Sequence, residues 1–228
     1  MNRGLSRFRL AAPATALLVA GCHSTHAPSV RELPDPILDT RGARPFEPGL
    51  PRIEPRPEIP AARADADWMP PGGISGRWRC IVIHHSAKDV DTPQGMADWH
   101  VNGRGWDELG YHFVIGNGMR FPDGQVFVGS RWPKQKHGAH CKVPGNYYNE
   151  HGIGICLIGN FNHRPPTSRQ MESLNRLLSF LCRHTGITPD RVYTHGGVTR
   201  KTECPGRYFS IREVRSRLER SAAQAFAD

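Results

Sequence analysis

The residues best suited to chemistry lie close together near the C-terminal end of the chain. From His195 to Cys204 the sequence supplies an imidazole and a thiol, with the hydroxyl of Thr202 between them. Zn²⁺ binds imidazole nitrogen and thiolate sulfur, and a catalytic zinc site needs only three protein ligands because water takes the fourth position. The segment is therefore one half of a zinc site. The alternative is a turn in which Gly196-Gly197 and Pro205-Gly206 only reverse the chain.

A further ligand is expected at the end of another strand. Residues 78–83 form a short, nearly continuous apolar run, which is typical of a strand buried on both faces, and His84 and His85 follow it directly. In open α/β sheets, ligands bind beyond the strand ends. Because neighbouring side chains on a strand point to opposite faces, we expect only one of the two histidines to reach a given ion.

Similar runs of apolar and β-branched residues predict the other strands of the sheet. They cover residues 110–115, 125–128, 152–158 and 191–194. Turn signals between the first two predict a hairpin, and the continuous apolar character of the third predicts a central strand. The last strand would place His195 where a strand opens into a loop. Residues 134–149 are basic and contain glycine, which favours a surface loop.

Cap residues and apolar spacing predict three helices. The first covers residues 91–101, and its pattern places Met96 and Trp99 on the inward face. The other two helices open with capping boxes, in which a hydroxyl and an acidic or amide side chain satisfy free backbone amides. These pairs are Thr167 with Gln170 and Ser210 with Glu213, and Gly186 ends the second helix.

Five motifs on these elements resemble those of one protein family. They are His84-His85-Ser86-Ala87, residues 99–113, Gly138-Ala139-His140, residues 152–161 and residues 195–206. From about residue 79 to about residue 209 the chain resembles the zinc-dependent N-acetylmuramoyl-L-alanine amidases, which are relatives of phage T7-type lysozyme and the peptidoglycan recognition proteins. The resemblance implies an α/β fold, with a central mixed β-sheet flanked by helices on both faces.

The resemblance also implies a reaction, a metal and a set of site residues. In the family, a zinc-activated water hydrolyses the amide between the lactyl group of N-acetylmuramic acid and L-alanine in peptidoglycan or muropeptides. Carried over by motif, His84, His195 and Cys204 would bind Zn²⁺. Tyr111 and Thr202 would line the zinc-bound water and serve as the catalytic residues.

Two more histidines belong to the motifs. His112 and His140 would contact the substrate or support the ligands, and the alternative for both is an ordinary strand or surface histidine. The chain also departs from the family pattern in two ways. Some related amidases carry a general-base glutamate where this chain has Cys156, and the segment from His195 to Cys204 is one residue longer than the usual form.

Three functions compete at this point. The leading one is the amidase, and the alternative is a recognition module that binds muropeptides without cutting them. Family members that only bind commonly lack the cysteine ligand, whereas Cys204 is present here. The formal charge of +9 and the pI near 9.6 also suit a nucleic-acid binder. No aromatic-basic RNA motif or cysteine-histidine finger spacing occurs, so we expect no nucleic-acid partner.

The N-terminus predicts export and a lipid anchor. Residues 1–21 resemble a lipoprotein signal peptide, with early arginines followed by an apolar run too short to span a bilayer as a helix. Residues 18–22 resemble the bacterial lipoprotein box, which implies lipidation of Cys22. The alternative is an ordinary signal peptide with a coincidental cysteine. No aspartate follows Cys22, which favours an outer-membrane anchor facing the periplasm in a Gram-negative cell.

A proline-rich tether is predicted to connect this anchor to the folded domain. Residues 22–75 hold more than half of the 20 prolines, and this composition favours extended, disordered backbone. The amidase domain would then cover residues 76–228. An arm wrapped on the domain stays open for residues 63–69, where Trp68 and Met69 could dock.

The remaining cysteines are Cys80, Cys141, Cys156 and Cys182. The sequence does not decide whether any two form a disulfide. Cys80 and Cys156 lie on apolar strands, where buried free thiols are common, and we expect reduced thiols there.

Overall fold

The computed structural model describes residues 68–225, and a five-stranded sheet lies at its centre. The strands are β1 (Cys80–His85), β2 (Phe113–Ile115), β3 (Val126–Val128), β4 (Gly152–Leu157) and β5 (Val192–Thr194). Their order across the sheet is β3-β2-β4-β1-β5, so β4 is central as predicted. β2 and β3 pair antiparallel as the expected hairpin, and all other neighbours pair parallel. The predicted mixed sheet is confirmed.

Five α-helices accompany the sheet within the described residues. They are α1 (Pro93–Asp98), α2 (Tyr147–Glu150), α3 (Ser168–Thr185), α4 (His195–Thr199) and α5 (Ile211–Ala225). None of the helices described between residues 68 and 225 has the length and apolar character needed to cross a bilayer. The predicted signal peptide, the lipidation site Cys22 and most of the predicted tether lie outside the described residues.

One face of the sheet forms the main core with the two long helices. Apolar side chains of β1 and β4 pack there against apolar side chains of α3 and α5. The strand residues are Ile81, Ile83, Ile153, Ile155 and Leu157, and the helix residues are Leu174, Leu177, Leu178, Leu181, Val214 and Leu218. Each fully buried side chain of this kind contributes about 1.5–3 kcal/mol. This face therefore supplies most of the apolar burial that stabilises the domain.

Local capping explains where α3 begins and ends. The Thr167 hydroxyl accepts a hydrogen bond from the Gln170 amide at 3.0 Å, and the Gln170 side chain accepts one from the Thr167 amide at 3.1 Å. Gly186 follows the helix with φ 72°, the left-handed conformation that glycine adopts at little cost. The predicted capping box and the predicted stop are both confirmed.

The predicted helix at residues 91–101 is wrong in its second half. The helix α1 starts as expected, with Thr92 accepting a hydrogen bond from Gly95, but it ends at Asp98 and a π-helical turn follows at Trp99–Gly103. The wider turn shifts the inward face by one residue. Met96 is buried as predicted, whereas Trp99 is 47% exposed and His100 is only 5% exposed.

The aromatic residue at the start of the described chain packs into the domain. Trp68 is buried, meets Phe180 edge to face at 5.6 Å between ring centroids, and accepts a hydrogen bond on its carbonyl from the Trp132 indole at 2.7 Å. Met69 beside it is exposed. Of the two residues considered for docking, Trp68 docks and Met69 does not.

Candidate metal centre

The strand β1 presents its two histidines to opposite faces of the sheet, as the alternation of side chains requires. His85 lies on the core face, where its Nδ1 accepts a hydrogen bond from the Phe161 amide at 3.2 Å. His84 lies on the other face beside Cys156, its register partner on β4. Only His84 can therefore contribute to a site on that second face.

The other two predicted ligands are brought together by the turn that follows β5. His195 begins the short helix α4 rather than a loop, and the Thr194 side chain caps this helix by accepting from the Gly197 amide at 3.1 Å. The Gly196 amide donates to the carbonyl of Cys204 at 2.7 Å. A Cβ at Gly196 would lie 2.4 Å from the Thr202 carbonyl oxygen, so the closed turn needs glycine there.

The three predicted ligands converge at the carboxyl ends of β1 and β5. One ligand atom from each of His84, His195 and Cys204 lies within 4.8 Å of the others. The Cys204 Sγ is 3.9 Å from Nδ1 of His84, and the rings of His84 and His195 are 4.6 Å apart between centroids. Two ligand atoms of a tetrahedral zinc site are roughly 3.5 Å apart, so a small contraction would fit the ion. The donor set and its spacing fit zinc.

The local environment keeps the histidines neutral, which is the form that binds a metal. Burial lowers the pKa of His84 well below its ordinary value, with further lowering by His140 and His195. Burial also lowers the pKa of His195. The pKa of the Cys204 thiol is raised to about 12 by burial, while the His85 amide, which donates to its sulfur at 3.4 Å, acts in the opposite direction. A metal binding here would release the thiol proton.

Tyr111 lies beside the three converging side chains. It precedes β2, whose predicted start at residue 110 is three residues early, and its ring is 5.2 Å from that of His84. Burial raises the pKa of the Tyr111 hydroxyl well above its usual value, and the nearby thiols Cys156 and Cys204 raise it further. The hydroxyl is therefore a hydrogen-bond donor at neutral pH.

Thr202 lies on the exposed surface of the turn, two residues before Cys204. Its hydroxyl oxygen accepts a hydrogen bond from the Cys204 amide at 3.1 Å. This contact stabilises the turn that carries the cysteine and leaves the hydroxyl proton available. The structure therefore places Thr202 next to a predicted ligand and accessible to solvent.

His112 is fully buried behind the site and uses both of its ring nitrogens within the protein. Nδ1 accepts from the Gly154 amide at 2.9 Å, and Nε2 lies 3.0 Å from the Lys136 carbonyl. The ring also meets Trp78 edge to face. Because both ring nitrogens contact the backbone, the structure does not support the substrate contact that was one expectation for His112. The side chain instead links the segment that leads into β2 to β4.

His140 is also buried, although residues 134–149 were predicted to be a surface loop. The prediction is wrong for this part of the segment because Asn149 turns the chain inward, accepting from the amides of His140 and Cys141 at 2.8 Å each. The His140 ring contacts His84, with 3.1 Å between His140 Nδ1 and His84 Nε2. It therefore lies next to a predicted ligand.

Two glycines make room for this histidine. A Cβ at Gly154 would lie 2.3 Å from the His140 ring and one at Gly138 would lie 2.4 Å from it. Both glycines lie in the motifs named above, but their part in placing His140 was not predicted. The sequence did contain a pattern that predicts this packing. Glycine at positions 152 and 154 leaves one face of a strand without side chains, and a ring can pack there.

The cysteines of the described residues are unpaired, including Cys80 and Cys156 as predicted. Cys156 is buried beside His84 in the register of β1 and β4. Burial raises the pKa of its thiol well above the ordinary value. It stays protonated at neutral pH and does not take the place of a carboxylate base.

Comparison with known proteins agrees with this arrangement. Residues 75–207 match the model of the family described as N-acetylmuramoyl-L-alanine amidase. Peptidoglycan-recognition protein SC2 of Drosophila melanogaster is 33% identical over 134 residues, covering 55% of this chain and 66% of the relative. Peptidoglycan recognition protein 1 of Bos indicus is 34% identical over 120 residues, covering 49% and 58%. The chain thus spans somewhat less than two thirds of these relatives.

A solved structure is similar over nearly its whole length. N-acetylmuramoyl-L-alanine amidase LysC from Clostridium intestinale URNW is 34% identical with a TM-score of 0.53, covering 67% of this chain and 92% of LysC. Residues 75–207, which match the family model, include the whole sheet and all three converging side chains. The chain belongs to the N-acetylmuramoyl-L-alanine amidase family.

Proposed function

We propose that this protein is a zinc-dependent amidase that cleaves the bond between the lactyl group of N-acetylmuramic acid and L-alanine in peptidoglycan or muropeptides. The observation that carries the proposal is the convergence of His84, His195 and Cys204 within 4.8 Å at the carboxyl ends of β1 and β5. Membership of the amidase family and the likeness to LysC support the same reaction.

The three proposed ligands would hold a zinc ion in a position to activate water. His84, His195 and Cys204 would hold zinc, which when bound supplies a water with a pKa of about 7 and polarises the amide carbonyl. Three protein ligands leave one position for this water, as a catalytic site requires. The presence of Cys204 favours the enzyme over a module that only binds muropeptides.

The side chains around the ligands would stabilise the charge that develops during hydrolysis. The raised pKa of Tyr111 keeps its hydroxyl protonated, and it can donate to the amide oxygen as negative charge forms there. The Thr202 hydroxyl lies on the exposed side of the turn that carries Cys204, and its proton is available for a second hydrogen bond of this kind. One donor of this kind contributes about 3 kcal/mol in comparable sites. Water adds to the carbonyl carbon, the C–N bond breaks, and the amine leaves with a proton.

The decisive experiment measures new L-alanine amino termini. Purified full-length protein is incubated with murein, after metal removal by a chelator and again after zinc is restored. We expect release only in the zinc-loaded sample. Binding of murein without any release in the presence of zinc would contradict the amidase and favour the recognition module.

We further propose that residues 1–21 are a signal peptide, that Cys22 carries a lipid and that the residues between Cys22 and Trp68 tether the domain to the outer membrane, facing the periplasm. The support is the short apolar run ending in Leu18-Val19-Ala20-Gly21-Cys22. Anchoring through several acyl chains would be stable, whereas one chain binds weakly. Labelling with a clickable fatty acid should mark the wild type but not Cys22→Ser, and an equal signal in both would contradict lipidation.

A further inference from the structure

His140 contacts a predicted ligand without being one of the three side chains that converge. Its Nδ1 is 3.1 Å from Nε2 of His84, and its own Nε2 is 3.2 Å from the carbonyl oxygen of Gly152. The contacts therefore form a chain from a backbone carbonyl through two imidazole rings. The free end of the chain is Nδ1 of His84, 3.9 Å from the Cys204 sulfur.

The hydrogen bonds of this chain determine which nitrogens carry protons. A backbone carbonyl only accepts, so Nε2 of His140 must carry the proton that reaches Gly152. In a neutral ring the other nitrogen, Nδ1, is then an acceptor, and the proton between the two rings must belong to Nε2 of His84. This leaves a lone pair on Nδ1 of His84, the atom that faces Cys204.

The position of the His140 ring is closely restricted by its neighbours. The ring lies against Gly154 and Gly138, where an added Cβ would come within 2.3 Å and 2.4 Å of it. The backbone amide of His140 is held by the side chain of Asn149 at 2.8 Å. His140 can therefore keep the orientation that its two ring hydrogen bonds require.

We propose that His140 is a positioning residue that holds His84 in the tautomer protonated at Nε2, with Nδ1 directed at the metal. The proposal rests on the zinc site proposed above. A hydrogen bond to the second nitrogen of a ligating histidine orients the ring, and losing such a partner weakens metal binding by roughly 10–100-fold.

The test compares two variants of His140 in the full-length protein. In His140→Asn the side-chain oxygen can take the place of Nδ1 and accept from His84, whereas His140→Leu has similar bulk and no acceptor. Zinc affinity is measured by competition with a chromophoric chelator. We expect the Leu variant to bind roughly 10–100-fold more weakly and the Asn variant to stay close to the wild type. Equal affinity in the Leu variant and the wild type would overturn the proposal.

A second measurement tests the proposed tautomer directly and does not depend on bound zinc. Long-range ¹H–¹⁵N spectra of the metal-free wild type report the protonated nitrogen of each ring. We expect Nε2 to be protonated in both His84 and His140, and a proton on Nδ1 of His84 would overturn the assignment. If the wild type binds no zinc at all, the proposed function fails, and the metal-free spectrum still decides the tautomer.

Discussion

The two faces of the sheet are built from the same strands but serve different purposes. On one face Ile81 and Ile83 pack under two long helices and form the main core. On the other, His84 of the same strand lies among the rings of Tyr111, His140 and His195. Alternation along β1 therefore separates apolar packing from the polar site by a single residue. A change on the core face should affect stability alone, whereas a change on the site face should also affect metal binding.

The largest effect is expected from a ligand on the site face. Cys204→Ala removes the thiolate, and two remaining histidines hold zinc far more weakly, so amidase activity should fall by at least about a hundredfold. The matched control is Cys182→Ala on α3, a thiol remote from the three ligands in the fold. Zinc content per protein and release of L-alanine termini are measured. Zinc bound at wild-type affinity by Cys204→Ala would remove the main support for the site.

A core substitution on the opposite face should show the reverse behaviour. Leu178→Ala deletes a fully buried side chain of α3 and should lower the free energy of unfolding by about 2–5 kcal/mol. The exposed Glu172→Ala on the same helix should change it by less than about 0.5 kcal/mol. Denaturant unfolding gives both values. Zinc affinity of the folded Leu178→Ala protein should be unchanged, and a large loss would mean that the two faces are not independent.

The buried histidines of the site face should make stability depend on pH. Burial lowers the pKa of His112 to about 4, below the ordinary value of 6.5. Between these two pKa values His112 binds a proton in the unfolded chain but not in the native protein. The contribution of neutral His112 to the free energy of unfolding is therefore fully present above pH 6.5 and is lost as the pH falls toward 4. The loss attributable to His112 is about 3 kcal/mol at most.

The measurement is denaturant unfolding of the metal-free protein between pH 7 and pH 4, with His112→Gln for comparison. The variant should be less stable at pH 7 and lose less stability on acidification. An identical pH slope in both proteins would show that His112 does not titrate as its burial requires.

A smaller effect is expected from the space that holds His140. Gly154→Ala places a Cβ within 2.3 Å of the ring, so the ring must shift, at a cost of about 1–3 kcal/mol in stability. Zinc affinity should fall with it, by roughly tenfold. Gly76→Ala is the control, because a Cβ there meets nothing within 4 Å. Unchanged zinc affinity in Gly154→Ala would show that zinc binding does not depend on the position of the His140 ring.

Features that depend on a few neighbouring residues could be predicted from sequence. The capping box of Thr167 and Gln170 and the stop at Gly186 involve contacts over only a few positions, so the local pattern contains the answer. The opposite orientation of His84 and His85 also follows from strand geometry. The inward position predicted for Trp99 is wrong because a π-helical turn breaks the regular spacing on which a helical pattern relies, and His100 is buried instead.

The sequence by itself determined which side chains are candidate ligands, the order of the elements and which face of β1 each side chain takes. Only the tertiary structure decided that His140 lies against His84 and that His140, Cys141 and Asn149 are buried. The reason is that His140 occupies a space defined by Gly138, Gly154 and the carbonyl of Gly152, on two separate segments. Such a space exists only after the strands have paired, and no local pattern specifies it.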